Sequence, residues 1–184
     1  MIFVDKTELI QMKRYFPILI FALIIALGSC TPVWNLPDEP VIEFKAFSVF
    51  DTIDLNGNHP LAGKLTFYFQ DGDGDLGQAE PDTGSTISGS NLFFRLYRKT
   101  NGVFVQAAPT DPLYPSEYRI PYMEAPGQNP LLKGTIDVTM FYYHYNDTDT
   151  LYYDFRVRDR SGNESNTATT CVVVLGDTGT CSGG

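Results

Sequence analysis

Leu65-Thr66-Phe67-Tyr68-Phe69-Gln70 runs without a break into Asp71-Gly72-Asp73-Gly74-Asp75-Leu76-Gly77. The first half alternates, with Leu65, Phe67 and Phe69 on one face, which is the period of a half-buried strand. The second half sets three carboxylates between glycines, the composition of a tight acidic loop. Asp71, Asp73 and Asp75 repel one another, and a hard cation such as Ca²⁺ relieves that repulsion through oxygen ligands. The pair of elements, strand then acidic loop, sets the pattern for the rest of the chain.

Further alternating runs lie on both sides of this stretch. Residues 41–50 carry Ile42, Phe44, Ala46 and Ser48 on one face. Residues 92–99 and 103–106 flank Asn101-Gly102, a hairpin signal. In residues 132–145 Ile136, Val138, Met140 and Tyr142 share a face, and in 151–158 Leu151, Tyr153, Phe155 and Val157 do. Residues 167–175 close the set. Prolines at 109, 112, 115, 121, 126 and 130 keep residues 108–131 irregular. No segment has the period of a helix. About seven strands with turns between them predict an all-β fold, an antiparallel β-sandwich, with a barrel as the alternative. Tyr68, Phe141, Tyr143 and Tyr152 fall on the outward faces, so residues 108–131 cover that side or a patch there binds something.

The 184 residues need one domain, and the formal net charge of −9 offers no basic run to phosphates, so no nucleic-acid partner is expected. The N-terminus reads as a targeting segment. Lys13 and Arg14 precede an apolar run, and Leu27-Gly28-Ser29-Cys30 ends it. Met12 is an alternative start. Leu27-Gly28-Ser29-Cys30 resembles the lipobox of bacterial lipoproteins, which implies a signal peptide over 1–29 and a lipid-carrying (palmitate-type) Cys30. An ordinary secretory peptide or a single membrane anchor is the other reading. Residues 30–40, with three prolines, form a tether. The sandwich then spans 41–176 and a tail 177–184. Outside the cytoplasm Cys171 and Cys181 can form a disulfide pinning that tail; otherwise they are two free thiols.

Val157-Arg158-Asp159-Arg160-Ser161-Gly162-Asn163-Glu164-Ser165-Asn166 resembles the last hairpin of bacterial immunoglobulin-like and fibronectin type III-like domains. With the lipobox and the Phe-x-Asp-Gly-Asp-Gly-Asp-Leu-Gly loop, the chain resembles small surface or periplasmic lipoproteins of Bacteroidetes. The resemblance implies an immunoglobulin-like sandwich at the outer membrane or in the periplasm, held by its lipid, with an envelope protein or a glycan as partner. The Cys-Trp-Cys arrangement of antibody-type domains is missing.

With strands alternating in direction, the loop after 64–70 and the loop after 151–158 share an end. Asp71, Asp73 and Asp75 then meet Asp159, with Asn163, Asp38 and Glu39 nearby, and Glu80 and Asp82 are further candidate ligands. The 1, 3, 5 spacing matches the opening of a helical calcium loop, but Leu76 stands where that loop needs glycine and the flanks are not helical. A structural Ca²⁺ in a non-helical oxygen site is the metal reading; a solvated Asp-Gly turn is the alternative. His59 and His144 lack a third ligand for zinc. No Ser-His-Asp set or phosphate loop is legible. A non-catalytic binding or accessory module is therefore expected, with a purely structural envelope component, or a carbohydrate-processing enzyme, as alternatives.

Overall fold

The computed structural model describes residues 36–80, 89–115, 117–125 and 130–183. The signal peptide, Cys30, Trp34 and Asp82 lie outside the described residues. Among the described residues the regular elements are all strands: β1 (Val41–Asp51), β2 (Leu61–Asp71), β3 (Leu92–Thr100), β4 (Val103–Gln106), β5 (Leu132–Tyr142), β6 (Thr150–Val157), β7 (Ala168–Thr169), β8 (Val173–Val174) and β9 (Gly179–Ser182). They form two sheets. One has the order β5-β2-β1-β9; the other has the order β4-β3-β6-β7, with β8 also on β6. Every pairing between these strands is antiparallel.

The two inner faces meet through aromatic rings. Phe67 of β2 lies 5.2 Å from Phe155 of β6, and Phe47 of β1 lies 5.9 Å from Tyr153, centroid to centroid. Each strand delivers its apolar alternates inward. Leu65, Phe67 and Phe69 are buried on β2, as are Leu151, Tyr153, Phe155 and Val157 on β6. Such rings dominate core energetics because each buries a large apolar area. Gly63 continues the inward row of β2 because there is no room for more: a Cβ there would stand 2.7 Å from both the Phe47 ring and the Tyr142 hydroxyl.

β1 departs from the expected alternation. Its register against β2 slips between Phe44 and Ala46, leaving Lys45 as an extra residue. A bulge of this kind reverses the inward parity of everything beyond it. Ile42 is buried before the slip, and Phe47 and Val49 after it, in place of the expected Ala46 and Ser48.

Residues 108–125 do not cover an outer sheet face. They insert Leu113 and Ile120 into the core. Buried Asn91 ties this stretch to β3, accepting from Ile120 N–H through its side chain and donating its backbone N–H to Tyr118. The outward aromatics of the second sheet shield one another: Tyr97 and Tyr152 stack at 4.7 Å, and Phe104 meets Tyr152 edge-on. Phe141 and Tyr143 remain exposed.

The C-terminal end differs from expectation twice. Residues 167–175 make two short pairings, β7 and β8, in place of one strand. The residues read as a tail contain β9, which pairs with Ala46–Val49 of β1. Cys171, between β7 and β8, is joined to Cys181 of β9 across a Cα–Cα distance of 6.4 Å. The bridge thus links the edge of one sheet to the edge of the other. It closes a short loop, ten residues in sequence separation. A loop of that length is worth about 2–3 kcal/mol through the unfolded state. The double variant Cys171→Ser, Cys181→Ser is expected to lose about that much in urea unfolding, with amide exchange accelerating first at residues 179–182.

Candidate metal centre

Strand parity carries two of the acids into the interior. On β2 the inward row Leu65, Phe67, Phe69 has Asp71 as its next member. On β6 the row Leu151, Tyr153, Phe155, Val157 has Asp159 next. Phe67 and Phe155 touch, and each acid lies four residues beyond its ring, so the two rows end together at one end of the core. Asp71 is 0 % exposed and Asp159 is 1 % exposed.

The acidic loop closes tightly on itself and on the turn after β6. Asp71 Oδ2 accepts from Leu76 N–H at 2.7 Å, and Leu76 is driven fully into the core. That explains why leucine stands where a helical calcium loop has glycine: here the residue is a plug. Gly74 and Gly77 adopt φ of 69° and 95°. At both positions neighbouring backbone also excludes a side chain, since a Cβ would lie 1.6 Å from Pro130 O and 2.3 Å from Pro121 O. On the other side, Asp75 Oδ2 accepts from Ser161 N–H at 2.9 Å and from its hydroxyl at 2.7 Å. Arg160 donates to Gly77 O at 2.9 Å and sits 4.7 Å over the Tyr122 ring. Asp159 accepts from both the backbone N–H and the side-chain amide of Asn163, each at 2.8 Å.

Asp71, Asp73, Asp75 and Asp159 each place one carboxylate oxygen so that all four lie within 4.8 Å of one another. Oxygens on a sphere of Ca–O radius, about 2.3–2.6 Å, span at most about twice that. Asp71 Oδ1, Asp73 Oδ1 and Asp75 Oδ1 are buried and have no hydrogen-bond partner. Among the described residues, no ion pair involves any of the four acids. A buried carboxylate oxygen without a donor is costly, and three beside one another more so. The donor set is all oxygen, which suits a hard cation and no soft one.

The electrostatics agree. Burial, then the charges of Asp73 and Asp75, push the Asp71 carboxyl up from its ordinary 3.8 to about 6. Burial, then Asp75, Asp159 and Asp38, raise Asp73.

All four acids expected as ligands are therefore together. Glu80 is exposed and stands outside the cluster. His59 and His144 are exposed and belong to no ligand group among the described residues. The hydroxyl of Ser161 and the crowding at Gly74 and Gly77 escaped sequence reasoning; the parity of Asp71 and Asp159 was a usable signal for their burial.

At the opposite end, Arg98, Tyr143, His144, Tyr145, Asn146 and Asp149 line an open groove of about 440 Å³. Arg98 is held there by ion pairs to Asp111 and Asp149. Beside it lies an apolar hollow formed by Ile53, Leu55 and Phe141, and Tyr143 belongs to both. The Tyr143 hydroxyl donates to Asp54 at 3.0 Å.

No protein-family model, curated protein or solved structure matches the chain.

The raised Asp71 pKa fixes the sign of a pH effect in metal-free protein. Between 3.8 and about 6 the folded state holds a proton that the unfolded chain has released. Stability is then expected to fall as pH rises through that window, and to stay low above it. Urea unfolding in EDTA from pH 4 to 7.5 checks this. Asp71→Asn, which keeps an acceptor for Leu76 N–H, should flatten most of the slope.

Proposed function

We propose that the protein is a lipid-anchored, non-catalytic binding or accessory module of the cell envelope, an immunoglobulin-like β-sandwich stabilised by Ca²⁺. The observation that carries the calcium reading is the set of three partnerless buried carboxylate oxygens beside Asp159. Ca²⁺ tolerates irregular, carboxylate-rich loops, whereas Mg²⁺ demands near-octahedral ligation and keeps waters. The ion's role is structural: it joins the loop after β2 to the turn after β6, and so one sheet to the other.

The allotment of strands supports the immunoglobulin-like typing. β1, β2 and β5 share one sheet, and β3, β4, β6 and β7 share the other, as the resemblance of the last hairpin implies. Support for a binding role comes from the far end. A groove with two tyrosines beside Asn146, Asp149 and Arg98 offers ring faces and polar groups together, the mix that suits a glycan. The apolar hollow next to it suits an envelope protein in its place. The lipid anchor rests on Cys30 and the residues before it, and sets the location at the outer membrane or in the periplasm.

Calcium is tested by differential scanning calorimetry of EDTA-treated protein. An ion at a hundred times its Kd adds about 2.7 kcal/mol. In a domain of this size that raises Tm by roughly 5–11 °C. Ca²⁺ should do this, Mg²⁺ should do far less, and Asp71→Asn or Asp159→Asn should abolish the response. A wild-type Tm indifferent to Ca²⁺ overturns the metal reading. The anchor is tested separately: Cys30→Ala should move the protein out of the membrane fraction and remove the lipid mass.

A further inference from the structure

Ca²⁺ takes about six to eight oxygens, and the four aspartates supply one each. Bidentate carboxylates, waters and backbone carbonyls beside the acidic loop supply the rest of such a sphere. Gly72 lies between Asp71 and Asp73. A Cβ built on it would stand 2.3 Å from the Pro37 carbonyl oxygen and 2.8 Å from that of Leu36. These carbonyls thus press on the loop backbone between two of the ligands.

Residues 36–40 make no hydrogen bond to any described residue. The first paired residue is Val41, opposite Gln70, and the backbone N–H and carbonyl of Ile42 beside it are both held by the Asn166 side chain at 2.9 Å. The segment bearing Asp38 and Glu39 is therefore held beside the acidic loop by packing alone, with Pro40 buried and no hydrogen bond to keep it there. Like charge alone opposes that placement. A cation between the two reverses the sign.

We propose that residues 36 and 37 complete the metal centre, with the Leu36 and Pro37 carbonyls joining the four aspartates, so that the bound cation latches the start of the domain onto the acidic loop. The proposal rests on the calcium reading above. With the ion bound, the chain enters β1 along one fixed path over Gly72. Without it, residues 36–39 swing free of the loop, while buried Pro40 and the β1 ladder with β2 stay in place.

The test uses the full-length chain, ¹⁵N-labelled, in detergent micelles, stripped with EDTA and titrated with CaCl2. Amide shifts of Asp75 and Asn163 report occupancy, and the heteronuclear NOE of Asp38 and Glu39 reports the latch. The expected result is that both NOE values climb to the level of the β1 amides as the Asp75 and Asn163 shifts saturate. Gly72→Ala, which puts a methyl group into the Pro37 carbonyl, should keep those two NOE values low. Because coupling is reciprocal, it should also weaken Ca²⁺ binding about five-fold or more. If Asp75 and Asn163 saturate while Asp38 and Glu39 stay unmoved in the wild type, the latch is wrong and the calcium reading survives. If nothing shifts up to about 10 mM CaCl2, beyond the weak end of extracellular sites, both fall.

Discussion

Asp71 and Asp159 end two core rows that would otherwise be wholly apolar, and both carboxylates lie out of reach of bulk water. Asp73 and Asp75 join them from the loop between, and no lysine or arginine pairs with any of the four among the described residues. Burying one unpaired carboxylate costs several kcal/mol, and a domain's whole stability is about 5–15 kcal/mol. A cluster of four is therefore not something the aromatic core beneath it can absorb as a passive defect. Either protons or a cation must offset it. The raised Asp71 pKa shows how far protons go: at pH 7 most of the charge remains.

The sandwich is built so that this end matters. β2 is the only strand of its sheet with a full-length partner on each side, β1 and β5. β6 holds the corresponding place in the other sheet, between β3 and the short β7 and β8. The acids therefore hang from the two best-paired strands, and their relative position is fixed by the Phe67–Phe155 contact. The remaining openings between the sheets are closed by other means. Leu113 and Ile120 fill one side, and the Cys171–Cys181 bridge joins the sheet edges on the other. Among the described residues three short strands, β7, β8 and β9, follow β6, and such closures are needed because strands of two or four residues contribute little ladder of their own.

Much of this was legible in the chain itself. Period-two alternation located β2, β5 and β6 with their buried faces, because each of those strands keeps one face on the core, and the Asn101-Gly102 turn signal located the hairpin of β3 and β4. The meeting of Asp71, Asp73, Asp75 and Asp159 followed from alternating strand directions alone. Three features were not legible, for different reasons. The bulge at Lys45 changes parity without any local composition signal, so Phe47 and Val49 were assigned outward. β9 hides in Gly179-Thr180-Cys181-Ser182, whose composition says turn or tail; it is held by the disulfide and by the Ser48–Thr180 hydroxyl contact, the second of them far apart in sequence. The inward course of residues 108–125 depends on Asn91, a single polar residue whose burial no periodicity announces.

The disulfide and the proposed Ca²⁺ site share a chemical condition. A disulfide persists where thiols are not kept reduced, and a carboxylate cluster of modest Ca²⁺ affinity fills only where the ion is abundant. Both conditions hold outside a cytosol and neither holds inside one. A chain that relied on them in a reducing, calcium-poor compartment would carry loose sheet edges and an uncompensated buried charge at once. The proposed envelope address and the internal construction therefore constrain each other. If the lipid on Cys30 holds the molecule at a membrane surface, the closures lie where they can form, and the end carrying Tyr143 and Tyr145 is left free of structural duty.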